Sequence, residues 1–395
     1  MAQGHPQESL VTEYSGRLAN LIAATSFLTF LGRGAIPPLL PRLVTDLSIS
    51  LSQAGLGLTV LWLSYAVFHY PGGRLSDQLT RKTPLVASLG LLIVGFTMLT
   101  VNPTYASFLL GVALVGTGHG LFMPASRGLI ADLFVERRAQ AFGLQVGAAS
   151  AGSALSAGLA VVVVAVATWQ TAFVPSVVGL FVIALLMHHW NRETYRVARI
   201  ELGLGNTVTR LLTSPRMRTI LAAYCLFSFS WLGVISFLPT YLHVGKGFSL
   251  TIGSAAYALV YVIGIVASPI AGNLADRFPR LLTAAGALTV AAVGLAGLLM
   301  VDSLALIGVS TAVFGIGLFG TPPVLQSAMF DAFPDDSLAG DFGAMKTIYT
   351  AIGALGPGYV GIVVERASYR PAFVSFVFCL VVAILALVQA SRMAE

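Results

Sequence analysis

The chain has 395 residues, of which 56% are hydrophobic and only 10% charged, with a formal net charge of +6. Soluble domains carry roughly 25% charged residues, so this composition excludes an ordinary water-facing surface. A mean hydropathy of +0.86 and apolar blocks of about 20 residues define instead a polytopic, all-α membrane protein.

The first sixteen residues are polar and contain no signal-peptide core, so the first apolar run reads as a retained span. Spans are expected at about 18–41, 52–72, 83–101, 105–128, 140–164 and 170–189, then at 219–242, 251–272, 281–300, 304–330, 340–364 and 370–390. The longest polar stretch, His188 to Arg218, reads as a linker, giving a six-helix bundle over 1–187, a linker over 188–218 and a second bundle over 219–395. With the N-terminus cytoplasmic, sixteen of the 22 Lys and Arg residues fall on the inner side, four on the outer side and two within spans. That bias sets both termini inside a cytoplasmic membrane by the positive-inside rule, and it accounts for the basic charge without a nucleic-acid partner.

The first span carries Arg33, flanked by glycines, and Pro37, Pro38 and Pro41, which suggest an irregular outer end. A charge near the bilayer centre costs about 2.5–3.5 kcal/mol, so it faces a cavity or a partner. No carboxylate lies in the N-terminal spans; Arg33 is free to fork a carboxylate or phosphate, or to bond backbone carbonyls or water. The second span offers Tyr65 and ends in the charged phrase GGRLSDQLTRK, with Gly73, Asp77, Arg81 and Lys82. There a glycine allows helices to approach, an aspartate can cap a neighbouring helix, and the cations can pair with carboxylates or lipid phosphates or anchor the topology.

His119, in the fourth span, is a titratable group suited either to proton exchange or to plain hydrogen bonding. His69 lies closer to the inner loop and is the weaker candidate. Arg127 is a partner for Asp77 or Asp132, or a snorkelling residue. Further lining candidates are Gln145, Tyr257, Tyr261, Gln326 and Tyr349, Tyr257 and Tyr261 being one turn apart. Lys346, about two turns into the eleventh span, is either a positive counterpart to Arg33 or a residue snorkelling to the inner surface. The two cysteines, Cys225 and Cys379, fall inside spans and suggest neither a disulfide frame nor a metal cluster.

A second phrase, AGNLADRFPR, repeats the first. Gly272 and Asp276 follow Gly73 and Asp77 by 199 residues, and Pro323, Asp331 and Phe333 follow Pro124, Asp132 and Phe134 by the same interval. SLS at Ser50 and SLT at Ser249 keep that register. A register held across five spans is a duplication. Because it covers six spans, the halves are parallel repeats about a pseudo-two-fold axis along the membrane normal.

Six plus six spans, the linker and the charged phrase together resemble the major facilitator superfamily, whose signature reads roughly G-x-L-x-D-R-x-G-R-K. Gly73, Leu75, Asp77, Arg81 and Lys82 match it, with Gln78 and Thr80 in place of Arg and Gly; the second copy keeps Gly272, Leu274, Asp276 and Arg277. The resemblance implies a secondary transporter in which these contacts latch the inner gate while the outside is open. Arg33, Tyr65 and Pro71-Gly72-Gly73 are similar to the organic-anion branch, the anion:cation symporters, although His119 stands where that branch has an acid before Pro124. Drug/proton antiporter patterns are missing: Val112 precedes Gly116 where an arginine would stand, and SALSAG from Ser153 lacks the proline.

The expected function is alternating-access transport of a small carboxylate-type anion around Arg33, Tyr65, His119, Gln145, Tyr261 and Lys346. The alternative is a multidrug or lipid exporter of the same superfamily. A sensor on this frame lacks an interaction domain. An enzyme lacks a Walker loop, nucleophile elbow or metal motif. A monomer among membrane lipids is expected, with a small-molecule substrate, no cofactor, and a proton as the candidate coupling ion.

Overall fold

The computed structural model describes residues 9–101, 104–199, 214–330 and 338–393, with side chains from residue 342 in the last stretch. Apolar runs fold as helices because hydrocarbon offers backbone N–H and C=O groups no partners except each other. Helix α1 spans Tyr14–Asp46, α2 Leu51–Gln78, α3 Lys82–Val101, α4 Tyr105–Leu133 and α5 Arg138–Val166; a 3-10 turn at Trp169–Phe173 leads into α6, Val174–Trp190. The second series is α7 (Pro215–Thr240, followed by a π turn at Tyr241–Gly245), α8 (Leu250–Arg277), α9 (Arg280–Met300), α10 (Leu304–Phe330), α11 (Leu338–Gly353), α12 (Leu355–Arg366) and α13 (Tyr369–Arg392). Helices α11 and α12 form one span, interrupted at Ala354. The described residues thus hold twelve helical segments long and apolar enough to cross a membrane, arranged as two bundles of six.

Several helices outrun their apolar spans. Helix α1 continues through Pro37, Pro38 and Pro41 to Asp46, so its end is regular, contrary to expectation. Membrane helices tolerate proline where neighbours satisfy the freed groups, and buried Leu39, Leu40 and Leu43 show that this segment is enclosed by protein. Likewise Gly73 and Asp77 lie on α2, and Gly272, Asp276 and Arg277 on α8, rather than in loops. Hydropathy marks the stretch that meets hydrocarbon; the helix itself ends only where capping and turn residues stop it.

The duplication extends to backbone detail. Ser50 caps α2 by accepting from the Gln53 N–H, and Ser249 caps α8 by accepting from the Ile252 N–H. Two residues earlier, Ser48 (φ 50°) and Gly247 (φ 77°) both adopt the left-handed conformation. A side chain there costs about 1–2 kcal/mol, a penalty that glycine avoids.

The basic loops define one face of the molecule. Toward the opposite face the bundles are in direct contact. A Cβ on Gly55 of α2 would stand 2.6 Å from the Pro357 carbonyl, and one on Gly361 of α12 would collide with the Leu51 carbonyl. Glycine alone permits this approach. The Gly358 N–H donates to Thr59 Oγ1 at 3.0 Å, and the Ser52 N–H to Glu365 Oε2 at 3.3 Å. This clamp seals one end and leaves the space between the bundles in the half nearer the basic face. Ser48→Gly should raise thermal stability by about 0.5–1 kcal/mol, because the second repeat already uses glycine there; melting of the purified protein in detergent checks this, and a loss of stability would contradict it.

Candidate functional site

Between the bundles lies a cavity of about 300 Å³. It is lined from both halves, and successive turns of each helix contribute. Helix α1 presents Ser26, Phe30 and Arg33; α4 presents His119, Met123 and Arg127, spaced by four; α11 presents Lys346, Tyr349 and Thr350. Spacings of three and four put these residues on one helical face. The lining includes three basic side chains, Arg33, Arg127 and Lys346, and no Asp or Glu.

Arg33 stands at the deep end. Its guanidinium carbon lies 4.4 Å from the ring centres of both Phe30 and Trp62. Each such contact is worth about 0.5–2 kcal/mol, the more when water is excluded. Both contacts are to aromatic rings, which supply no carboxylate: Arg33 is in no ion pair among the described residues. Beyond it lies a narrow extension lined by Gly34, Leu58, Ser236, Tyr257 and Tyr261. Tyr257 donates to Tyr261 at 3.3 Å, and Tyr257 lies in this extension rather than in the main cavity.

Tyr65 is flanked by two histidines, with ring centres 5.1 Å from His119 and 5.2 Å from His69. Both histidines are buried, and Nδ1 of each lacks a hydrogen-bond partner. His69 is therefore buried as well, at 8% exposed against 1% for His119, although only His119 lines the main cavity. The position of His69 looked poor in sequence because the second span seemed to end sooner than α2 does. Gln145 donates to Ser126 Oγ at 2.8 Å, which aims the amide along the cavity wall. Tyr224 and Tyr349 stack at 3.8 Å, and Gln326 donates to the Tyr224 hydroxyl at 3.3 Å.

Arg127 takes a different role from the one expected. It bonds neither Asp77 nor Asp132 but lines the cavity together with Lys346. Arg81 holds both carboxylates instead, donating from Nε to Asp132 Oδ2 at 2.7 Å and from Nη1 to Asp77 Oδ1 at 3.0 Å. It also donates to the Ser76 carbonyl at 2.6 Å. Burial disfavours the Arg81 charge, but the two carboxylates outweigh it and hold the pKa above its ordinary value. Asp77 thus pairs within its own bundle and caps no neighbouring helix. Close helix approach falls at Gly72, where a Cβ would lie 2.9 Å from Leu121 Cα; at Gly73 the nearest atom is 3.8 Å away, and at Gly272 nothing lies within 4 Å.

In the second copy, Arg280 follows Arg81 by 199 residues and donates to the Ser327 carbonyl at 3.4 Å. Asp276 and Arg277 are exposed at the end of α8. Asp331 and Phe333, the repeats of Asp132 and Phe134, lie outside the described residues.

Lys82 is buried, and it meets the linker rather than lipid phosphate. Its Nζ donates to the Asn191 carbonyl at 2.8 Å and sits 4.9 Å from the Tyr195 ring centre. Glu193 Oε2 accepts from the Lys82 N–H at 2.8 Å and so caps α3. Thr80 donates to the Thr194 carbonyl at 2.7 Å, and the Arg196 N–H to Thr83 at 3.0 Å. Residues 191–196 therefore form a strap across the basic face of the first bundle.

A cation-lined cavity between two like-ordered six-helix bundles, sealed on one face, is the architecture of an alternating-access membrane carrier. The chain belongs to the Major Facilitator Superfamily, whose family model matches residues 22–357. It is similar to the hexuronate transporter of Bacillus subtilis (strain 168), with 21% identity over 364 residues covering 86% of each chain. It is also similar to the quinolone resistance protein NorA of Staphylococcus aureus (strain MRSA252), with 26% identity over 212 residues, 52% of this chain and 55% of that one. Among solved structures, an inward-facing, occupied bacterial homologue of the human lysosomal transporter Spinster aligns with a TM-score of 0.82 at 18% identity, covering 96% of this chain and 97% of that one. The nucleoside transporter NupG aligns with a TM-score of 0.78 at 12% identity, covering 94% and 99%. These likenesses agree with the transporter fold and not with an enzyme.

Lys82→Ala should release the strap. A buried charged hydrogen bond is worth about 1.5–3 kcal/mol, so tryptic cleavage after Arg192 and Arg196 is expected to quicken by roughly tenfold or more. Unchanged cleavage would show that the strap is held by other bonds.

Proposed function

We propose that this protein is a secondary transporter of a small carboxylate-type organic anion. It works by alternating access in the cytoplasmic membrane, with the basic face and both termini inside. The observation that carries this reading is the charge of the cavity: Arg33, Arg127 and Lys346 line it and no carboxylate does. A guanidinium flanked by aromatic rings, and in no ion pair among the described residues, suits the planar fork of a carboxylate. The likeness to a hexuronate transporter supports the same class. His119 and His69, buried beside Tyr65, are the groups available to a coupling proton. In this conformation the cavity opens inward, the opposite face being clamped.

A second reading, export of amphiphilic compounds, draws support from the aromatic lining (Trp62, Trp231, Phe319) and from the NorA match. Charge favours the first reading, since a cationic cargo would meet three like charges. The test is thermal stabilisation by monocarboxylates, dicarboxylates, hexuronates, phosphate esters and cationic dyes. A carboxylate should stabilise the wild type, and Arg33→Ala should weaken its binding by about thirtyfold or more, as when one partner of a buried charge pair is removed. Arg33→Lys, which keeps the charge but not the fork, should fall between. Stabilisation by cationic dyes alone, or equal carboxylate binding by Arg33→Ala, would refute the anion assignment.

A further inference from the structure

A second cavity lies away from the substrate site, in the second bundle alone. It is a groove of about 560 Å³ with walls from α8 and α9 and a floor from α10, and Thr283 is the one polar residue in its lining. It shares no lining residue with the central cavity. Val266, Ile270 and Phe278 of its α8 wall are each more than half exposed, so in a membrane the groove meets acyl chains.

The duplication explains why the groove is there. In the 199-residue register, Ala267 and Gly320 stand where the first bundle has Phe68 and Leu121. Two bulky side chains are replaced by a methyl group and a hydrogen. On the facing wall, a Cβ added at Gly286 would meet nothing within 4 Å.

An apolar groove alone selects nothing in a membrane, because a lipid tail is as well placed in the bilayer as against Leu or Ile. Selection has to come from the end of the groove. It reaches the basic face between Phe278 and Thr283, at the turn that joins α8 to α9. Arg277 is exposed on that turn, and α9 begins at Arg280 without a side-chain cap. The first repeat supplies an anion at this place: the Lys82 N–H, counterpart of that of Leu281, donates to the Glu193 carboxylate at 2.8 Å. Among the described residues no carboxylate takes that position on α9. Arg277 and Arg280 against Asp276 leave the turn one unit positive, and the start of α9 adds the positive end of its dipole.

We propose that this groove is a binding site for one anionic phospholipid of the leaflet at the basic face. An acyl chain lies over α10 between α8 and α9, and the phosphodiester meets Arg277 and the first N–H groups of α9. The lipid phosphate then stands in the second repeat where the strap's carboxylate stands in the first. The site is independent of the cargo and of the direction of transport.

The test is native mass spectrometry of the protein purified in dodecyl maltoside and mixed with equal amounts of phosphatidylglycerol and phosphatidylethanolamine of identical chains. One phosphatidylglycerol should be retained, preferred over phosphatidylethanolamine by about tenfold. Gly286→Leu, which fills the groove from open space, should lower that retention by about tenfold or more. Arg277→Gln should lower it by about fivefold, and Arg277→Lys should restore it. Ala267→Phe, the residue of the first repeat, is a second way to fill the groove, and melting without added lipid verifies that each variant is folded. Equal retention of the two lipids would overturn the headgroup assignment. Phosphatidylglycerol retained undiminished by Gly286→Leu and Ala267→Phe, as it would be if held in the central cavity, would overturn the site.

Discussion

A positive charge held inside a membrane protein without a carboxylate partner constrains everything around it. Each costs about 2.5–3.5 kcal/mol at the centre of a span, and here three line one cavity. Arg33 recovers part of that cost by stacking on Phe30 and Trp62. Among the described residues Arg127 and Lys346 have no such stack and no ion pair. The clamp of Gly55, Thr59, Gly358 and Glu365 holds the bundles together at the opposite end of the cavity.

Alternating access requires that each bundle move as a unit. In the first bundle the basic end is knitted by Arg81, which ties the end of α2 to α4 through Asp77 and Asp132. The strap from Asn191 to Arg196 adds a second layer by covering Lys82 and capping α3 with Glu193. The signature phrase is thus an internal brace in this conformation. In the second bundle Arg280 reaches the Ser327 carbonyl from the equivalent place, so the repeat preserves the position of the arginine together with those of Gly272 and Asp276. Ser48 and Gly247 make the same point for the backbone: the turn survives although only one copy has the residue that suits it.

The twelve spans, their order and the duplication were legible in the sequence, because hydrocarbon demands long apolar runs and a 199-residue register survives in turns, caps and prolines. Arg33, His119 and Lys346 were legible as polar groups where the bilayer makes them costly. Arg127 was misread because a cation near a span's end passes for an interfacial one. Its spacing of four from Met123 and eight from His119 was the available signal, and it fixes the face on which the side chain lies. Phe30 and Trp62 were missed for another reason: an aromatic residue in an apolar run looks the same whether it packs or lines a site. His69 was named but ranked below His119 because the second span seemed to end sooner than α2 does. What Lys82 does could not be read at all, since its partners Asn191 and Tyr195 lie more than 100 residues away in a segment without regular structure.

The aromatic character of the cavity bears on cargo in a way that composition alone would misstate. Aromatic faces attract cations, and a cavity rich in them invites comparison with exporters of cationic compounds. Here two of those faces, Phe30 and Trp62, are already occupied by the protein's own guanidinium. Tyr224 and Tyr349 stack on each other, which uses a face of each. What remains available to a cargo includes Arg33, Arg127 and Lys346, the hydroxyl and amide groups beside them, and the side chains of Trp231 and Phe319. On the proposed anion reading, a cationic cargo would meet three like charges, so the aromatic lining does not by itself argue for a cationic cargo.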